Sequence, residues 1–382
     1  MKTGTEHEFS INSRELVPLP CSDLILTETG GSPDCEVPLA GATIGKELQK
    51  TVLEFVPLHP SHRLSVLESL VQSGIAEFYR RFSDRYVLLG LGMHPVLSPG
   101  ESVVWDHGES AIYREYDRLF SLKQHGWVNV QAFQVNFEYR DDDHLVRMFN
   151  RARSLIPYLV AVSAASPFVE GRLSGTLDSR LISYRENQAR IPAICDGIVP
   201  RPIGSVADYR ERLSAIYGLL RQQGADILCE EWVASFGVIV RFSRPCIEIK
   251  VIDEQECVFS DMALCAFARA LMRADAPPLE DDQRSLLAMT EDAIRTGTAG
   301  LEEELSHLFR HAVDAATPEE KHYLSLVRAR IEEGCLASVL ADRFRERGDL
   351  EEIMRDLALC LKENRPFMAG DSRGAQRPAG KG

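Results

Sequence analysis

The stretch TGTEHEFSIN (residues 3–12) alternates between polar and apolar side chains, which is typical of a β-strand. Glu6 and Glu8 lie two residues apart in it, so in an extended chain both carboxylates project from one face of a sheet. Two like charges about 7 Å apart repel each other, and strands are depleted in acidic residues. The pair therefore raises the question of what this face of the sheet binds.

The composition is that of an acidic globular protein with 382 residues, a formal net charge of −14 and a sequence pI of about 5.3. Such a charge gives no overall attraction to nucleic acid or anionic lipid. No apolar run approaches the roughly 18–20 residues that cross a bilayer, and MKTGTEHEF is no signal peptide. The nine cysteines include no CxxC pair, so no disulfide framework is indicated. We expect a cytoplasmic protein that binds neither nucleic acid nor membrane.

Short strand-like runs alternate irregularly with longer helical patterns, and several runs follow one another closely. This pattern favours an α+β fold with a mainly antiparallel sheet of about six strands, flanking helices and a C-terminal helical segment. We expect a single catalytic domain over residues 1–365, with a sheet-bearing core over about 4–275 and helices over about 280–365. Residues 366–382 have the composition of a disordered tail. After the first strand, the strand candidates are 51–58, 85–92, 127–139, 226–232, 236–243 and 246–253.

Polar side chains recur inside these strand-like runs, where an apolar core would exclude them. Glu54 lies in TVLEFV, Glu248 and Lys250 in CIEIKVID, and Gln134 and Asn136 in FQVNF. Together with the first glutamates, they describe a sheet with one apolar face and one face of carboxylates, amides and a lysine. A buried carboxylate cluster needs a compensating charge, which hard divalent cations supply. The alternative is a face that is simply solvated, as in many antiparallel sheets.

Several segments, in order, resemble the glutamate–cysteine ligase type 2 family of carboxylate–amine ligases. They are GTEHEF, ELQKTVLEF, GLGMHP, ARSLIPYLVAVSAASPFVEGR and IEIKVIDEQECVFSDMALCAF, and together they span roughly residues 4–275. The resemblance implies a glutamine-synthetase-like fold in which a curved antiparallel sheet surrounds the active site. It also implies ATP and Mg²⁺ as cofactors, with phosphorylation of a carboxylate before an amine displaces the phosphate.

The resemblance assigns metal binding to five glutamates, namely Glu6, Glu8, Glu47, Glu54 and Glu248. Lys250 stands where the family usually has arginine. Phosphoryl transfer also needs cations that hold phosphate oxygens. Lys250 and Arg241 fit that role by placement, and Arg185 and Arg190 in SRLISYRENQARIP are further candidates because arginine binds phosphate or carboxylate bidentately. The alternative for these two arginines is an exposed amphipathic helix.

Three residues bear on nucleotide or substrate contacts. Gln134 and Asn136 stand where relatives often carry histidines; amides still form hydrogen bonds but do not titrate near neutral pH. His94, in GMHP, is either a ligand contact or a structural histidine before Pro95.

We therefore expect an ATP-dependent ligase that forms a γ-glutamyl amide through an acyl phosphate. Its partners are small-molecule amino-acid and amine substrates and ATP, and a homo-oligomer stays open. Two alternatives also stay open: a ligase for a different amine or a modified or carrier-bound glutamyl substrate, and a non-catalytic ATP-binding regulatory homologue.

Overall fold

The first strand, β1 (Thr3–Asn12), lies inside an eight-stranded sheet in the computed structural model, which describes residues 1–34 and 36–369. The order across the sheet is β2-β3-β4-β1-β6-β10-β9, with β5 paired to the end of β1, and every strand pair is antiparallel. The other strands are β2 (Val37–Leu39), β3 (Ala42–Lys46), β4 (Val52–Pro57), β5 (Val87–Leu89), β6 (Ala132–Glu138), β9 (Val238–Arg241) and β10 (Cys246–Asp253), and a separate hairpin joins β7 (Phe168–Val169) to β8 (Arg172–Leu173).

Helices fill the connections between strands and make up the C-terminal part. None of the helices in the described residues combines the length and the apolar composition needed to cross a membrane. The helices are α1 (Ser22–Gly30), α2 (Leu64–Phe82), α3 (Ser110–Phe120), α4 (His125–Val128), α5 (Asp142–Ser163), α6 (Ser179–Asn187), α7 (Val206–Gln222), α8 (Val258–Arg273), α9 (Gln283–Thr296), α10 (Glu302–Ala315), α11 (Pro318–Glu333), α12 (Leu336–Arg347) and α13 (Leu350–Glu363).

The two faces of the sheet differ as the alternation in the sequence predicts. Phe9, Phe55, Phe133 and Phe137 point to one face and are fully buried in the main hydrophobic core. Helix α5 packs against β10, and α2 packs against β3 and β4, which covers that face. The residues between these phenylalanines carry the carboxylates and amides. Because successive side chains point to opposite faces of a strand, burying the phenylalanines in the core places the carboxylates and amides on the other face.

The α+β class and the antiparallel sheet are confirmed, with eight strands in the sheet rather than about six. The hairpin of β2 and β3 was not predicted, because it lies in a loop-like segment and its edge strand contains Pro38. The strand predicted over 226–232 was wrong. That segment forms two 3₁₀ turns, in which Glu231 accepts hydrogen bonds from the backbone N–H groups of Phe242 and Ser243 instead of pairing with β9.

The C-terminal helices contact the sheet-bearing part at several places, with α10 and α11 on α8, α9 on α5 and α13 on β5. Helix α11 packs against α8, and the buried Glu320 of α11 forms ion pairs with Arg269 and Arg273 of α8. In the segment predicted as a tail, Phe367 is buried and its backbone N–H donates to Glu256 Oε1 at 2.9 Å. The rest of that prediction, residues 370–382, lies outside the described residues.

Candidate active site

Strand register brings the predicted acidic residues together on one face of four neighbouring strands. Glu8 of β1 lies opposite Glu54 of β4, and Glu6 lies opposite Gln134 of β6. On the far side of β6, Glu248 of β10 lies opposite Asn136. Residues that are more than 200 positions apart in sequence therefore share one surface, as the alternation predicted.

The two amides orient the carboxylates. Gln134 Nε2 donates to Glu8 Oε1 at 2.9 Å, and the backbone N–H of Ala132 donates to Glu8 Oε2 at 2.7 Å. Asn136 Nδ2 donates to Glu6 Oε1 at 3.1 Å. Each amide thus holds one glutamate of β1 in place, a role that does not require a group titrating near neutral pH.

Two cations lie on either side of the fully buried Glu248. Arg241 Nη1 donates to its Oε2 at 2.7 Å, and Lys250 Nζ lies 3.3 Å from its Oε1. Burial by itself would raise the pKa of Glu248, but Lys250 and Arg241 together lower it below the ordinary value. Arg241 also donates to Glu231 Oε1 at 3.2 Å. Both cations are thereby fixed beside the face that carries the glutamates.

Four glutamates, which we name the carboxylate cluster, have raised pKa values because nearby cations compensate their burial less completely: Glu6, Glu8, Glu47 and Glu54. Among the described residues Glu6 has an ion pair, with Arg244 Nη1 at 3.6 Å. Burial first, and then the neighbouring glutamates, raise the pKa of Glu54 well above the ordinary value. Burial, with Glu47 as the next cause, raises the pKa of Glu8 to about 8. Burial also raises the pKa values of Glu6 and Glu47. Four mutually repelling oxygen donors on a half-buried surface fit hard divalent cations such as Mg²⁺.

Among the described residues, two other groups of side chains place three potential metal-ligand atoms within 4.8 Å of one another. Neither group includes a residue of the carboxylate cluster. In the first, Asp23, Asp106 and His107, the charge is met by Lys50 Nζ, which lies 2.7 Å from Asp23 and 2.6 Å from Asp106. The carboxylate cluster differs because the nearby cations Lys250 and Arg241 form their ion pairs with Glu248, which is not a member of the cluster.

The second group, His7, Glu254 and Asp261, lies on the core face of β1, opposite to the face that carries the carboxylate cluster. His7 Nδ1 lies 2.9 Å from Asp261 Oδ2 and 3.8 Å from Glu254 Oε1, and all three side chains are fully buried. Glu254 Oε2 accepts a hydrogen bond from the backbone N–H of Glu8 at 2.9 Å. This contact fixes the strand at the residue whose side chain projects into the carboxylate cluster.

Two cavities of about 340 Å³ each adjoin the carboxylate cluster from opposite ends. The first, which we name the aromatic cavity, includes Glu8, Glu47, Gln134 and Lys250 in its lining, together with the rings of Tyr113, Tyr116, Trp127, Tyr184 and Trp232. The second, the edge cavity, has no aromatic ring in its lining; its residues are Lys2, Gly4, Thr5, Glu6, Val56, Pro57, Pro60, Asn136, Glu138, Arg244, Pro245 and Cys246.

Helix α6 reaches the aromatic cavity through a face different from the one expected. Arg180, Tyr184 and Gln188 line the cavity, at the spacing of four residues that places side chains on one helix face. Arg180 is buried, its Nε donates to Asp253 Oδ1 at 2.5 Å and its Nη1 to the Lys250 carbonyl at 3.3 Å. In the sequence, the spacing of four residues between Arg180, Tyr184 and Gln188 is the signal that could have indicated Arg180 as a site residue.

Three predicted residues are not brought to the carboxylate cluster. Arg185 lies on another face of α6 and pairs with Glu291 of α9. Arg190 donates to the Leu119 carbonyl and to Gln223. His94 is buried away from both cavity linings, and burial lowers its pKa to about 3. Glu47, by contrast, follows β3 and lines the aromatic cavity beside Glu8; its predicted role in metal binding stays a prediction.

The comparisons with known proteins agree with this geometry. The family model described as glutamate–cysteine ligase family 2 matches residues 2–365. A protein of Archaeoglobus fulgidus described as uncharacterized is 44% identical over 367 residues, which is 96% of this chain and 100% of that protein.

Two solved structures are similar in fold. The glutamate–cysteine ligase of Francisella tularensis, solved in complex with AMP, has a TM-score of 0.59 at 11% identity, covering 97% of this chain and 90% of that one. A bifunctional glutathione synthetase from Pasteurella multocida has a TM-score of 0.65 at 15% identity, covering 95% of this chain but only 52% of that chain. With the family model matching nearly its whole length, the chain belongs to glutamate–cysteine ligase family 2.

Proposed function

We propose that the protein is an ATP-dependent ligase that joins the γ-carboxylate of glutamate to an amine. One observation carries the proposal: acidic side chains from separate strands converge on one sheet face, beside two fixed cations and between two cavities. Family membership and the AMP complex of the Francisella tularensis ligase support a nucleotide at such a site.

The reaction has two steps. In the first, an oxygen of the donor carboxylate attacks the γ-phosphorus of ATP, the bond to the β-phosphate oxygen breaks, and ADP leaves with that electron pair. In the second, the amine nitrogen attacks the carbonyl carbon of the acyl phosphate, phosphate leaves with the electrons of its C–O bond, and the nitrogen loses a proton to solvent. Phosphoryl transfer of this kind depends on positioning and charge neutralisation.

The side chains divide these tasks. The carboxylate cluster and Glu248 would hold Mg²⁺, which when bound neutralises the developing charge on phosphate oxygens. Lys250 and Arg241 stabilise the transferring phosphoryl group, because both lie beside Glu248 and are held in place by it. Gln134 and Asn136 keep the glutamates of β1 oriented.

The two cavities suggest where the substrates bind. The edge cavity has a glycine and three prolines in its lining, whose apolar surface fits a purine, and its cations Lys2 and Arg244 offer charge to phosphates beside the acidic Glu6 and Glu138. The aromatic cavity has Glu8, Glu47 and Glu109 in its lining together with Arg180 and Lys250, so it offers carboxylates to an ammonium group and cations to a carboxylate, the two charged groups of an amino acid. We therefore assign the amino-acid and amine substrates to the aromatic cavity and ATP to the edge cavity.

A ligase for an amine other than cysteine is the nearer alternative, favoured by the amides at Gln134 and Asn136. A non-catalytic ATP-binding homologue is the other, and it requires an incomplete metal set, whereas every acidic position that the resemblance names is occupied by glutamate here.

The test is to incubate the purified protein with ATP, Mg²⁺, glutamate and a panel of amines, and to measure phosphate release and product mass. A ligase releases ADP and phosphate only when both carboxylate and amine are present, and Glu54→Gln abolishes the release while Glu346→Gln, an exposed glutamate of α12, does not. ATP binding without release for any pair would show that the homologue is non-catalytic.

A further inference from the structure

The aromatic cavity restricts what the second substrate can be, and this inference rests on the proposed ligase function. Tyr116 lies at the centre of a group of packed rings, with its centroid 5.1 Å from that of Trp127 and 6.2 Å from that of Trp232. Phe120 lies behind Trp127 at 5.9 Å. Because Tyr116 packs against both Trp127 and Trp232, these three rings form a fixed surface. Together with Tyr113 and Tyr184, which also line the cavity, we call them the aromatic wall.

The polar groups of the cavity that adjoin the carboxylate cluster come from the sheet, whereas Arg180 lies on the same helix as Tyr184 of the wall. Glu8, Gln134 and Lys250 project from strands of the sheet, whereas the wall comes from α3, α4, α6 and the turn at 231–233. The amide bond must form at the sheet, next to the carboxylate cluster. The part of the amine substrate that is remote from its nitrogen therefore extends toward the rings.

The cavity also contains buried polar atoms that no described residue satisfies. Trp127 Nε1, Gln188 Oε1 and Arg180 Nη2 are buried without a hydrogen-bond partner, and all three residues line the cavity. A buried polar group without a hydrogen-bond partner is destabilising. Two of these atoms are donors and one is an acceptor, so a ligand that carries both an oxygen acceptor and an N–H donor would satisfy them.

We propose that the amine substrate carries an aromatic ring, as an aromatic α-amino acid or an arylalkylamine does, and is not cysteine. A ring placed against Tyr116, Trp127 or Trp232 gains aromatic–aromatic attraction beyond simple burial. The side chain of cysteine is too short to cover five rings. The bond that forms joins the amine nitrogen to the activated carbonyl carbon of the donor, and phosphate leaves as described above.

The experiment compares matched amines with ATP, Mg²⁺ and glutamate: phenylalanine, alanine and cysteine, and phenethylamine against ethylamine. We expect kcat/KM to be at least about tenfold higher for the aromatic member of each comparison, which corresponds to about 1.4 kcal/mol. Trp232→Leu should reduce that preference to a few-fold or less. Ile112→Phe, which fills the cavity, should exclude phenylalanine while alanine is still used. Tyr86→Leu removes a ring outside the cavity lining and should change nothing.

Calorimetric binding of phenylalanine and alanine to the same four proteins separates this inference from the ligase proposal. Absence of phosphate release with every pair contradicts the ligase function, but tighter binding of phenylalanine that weakens in Trp232→Leu still supports an aromatic ligand. Cysteine or alanine preferred over phenylalanine, or a preference that neither cavity variant alters, overturns the inference.

Discussion

Glu54 is the residue at which the electrostatics of the site are most unfavourable without a cation. Within the described residues its side chain has no hydrogen bond and no ion pair. Its pKa is raised by burial, then by Glu6, Glu47 and Glu8. Removal of the Glu54 carboxylate should therefore relieve repulsion, as a bound cation would.

The first prediction concerns Glu54→Gln and Mg²⁺. Because glutamine removes one of the repelling charges, the metal-free variant should unfold at a higher temperature than the wild type at pH 8. Mg²⁺ that binds only the folded protein stabilises it by RT ln(1 + [L]/Kd), so it should raise the wild-type midpoint and barely change that of the variant. Differential scanning calorimetry with and without Mg²⁺ measures both, and an equal Mg²⁺ shift in the two proteins would remove Glu54 from the metal site.

Lys250 provides the second prediction, which separates transition-state stabilisation from substrate binding. Lys250→Met should lower kcat by about 10²–10³-fold, the usual effect of removing one charge-stabilising donor, with KM for the amine changed only a few-fold. Lys321→Met, on the exposed surface of α11, is the matched control. Steady-state kinetics decide the matter: a rise in KM at constant kcat would place Lys250 in amine binding instead.

At the scale of elements, the alternation in the sequence predicts which strand residues belong to the site. It predicts the helix residues of the site only in part. Glu6, Glu8, Glu54 and Glu248 share a face because each strand also carries core phenylalanines or isoleucines at the alternate positions. The arginine of α6 that lines the cavity is Arg180, not Arg185. Periodicity of four would have indicated it, but only once the helix boundaries and the buried face were known.

The aromatic wall was beyond sequence reasoning for a different physical reason. Its rings come from residues 113–127, 184 and 232, which lie on separate elements that meet only through long-range packing. Of these elements, only α3 carries aromatic residues at helical spacing, namely Tyr113, Tyr116 and Phe120, and it supplies two of the five rings. The edge cavity was not predictable for a similar reason. It forms where the ends of β1, β4, β6 and β10 lie side by side, and strand register determines which ends do so.

His94 links two elements, and its protonation gives the third prediction. Its Nε2 donates to Asn12 Oδ1 at the end of β1 at 2.6 Å, while Nδ1 accepts from the backbone N–H groups of Val96 and Leu97 at 3.3 and 3.2 Å. Both ring nitrogens are therefore satisfied by the neutral form, and burial lowers the pKa from an ordinary 6.5 to about 3.

Because the folded-state pKa of His94 is depressed, the unfolded chain takes up a proton that the folded protein does not. The stability contributed by His94 is present above pH 6.5 and is lost as pH falls toward 3. Between pH 6.5 and 5 this loss is about 2 kcal/mol. Urea unfolding measures the free energy of unfolding at pH 6.5 and pH 5. In His94→Gln the decrease between the two pH values should be smaller than in the wild type by that amount. In His59→Gln, at an exposed position, it should match the wild type. Equal pH dependence in all three proteins would contradict the neutral, buried assignment.

At the scale of the whole molecule, the question is whether the C-terminal helices fold as one unit with the sheet. We propose that they do, because the contact between α11 and α8 is a buried ion-pair cluster. Glu320 is fully buried and pairs with Arg269 and Arg273, and its Oε2 accepts from the backbone N–H of Thr317 at 2.8 Å. Although burial opposes ionisation, these partners lower the pKa of Glu320 to about 2.

The fourth prediction follows from this cluster. Glu320→Gln leaves the buried guanidinium group of Arg269 and the partly exposed one of Arg273 without their carboxylate, so the free energy of unfolding should fall by about 3–5 kcal/mol, against almost none for the exposed Glu333→Gln. In the wild type this stabilisation is present above pH 4.5 and is lost as pH falls through 2, since the folded-state pKa is depressed. Calorimetry of the wild type should show one transition, and the variant should shift that whole transition downward. Two transitions, of which only one moves, would mean that the C-terminal helices unfold independently of the sheet that carries the active site.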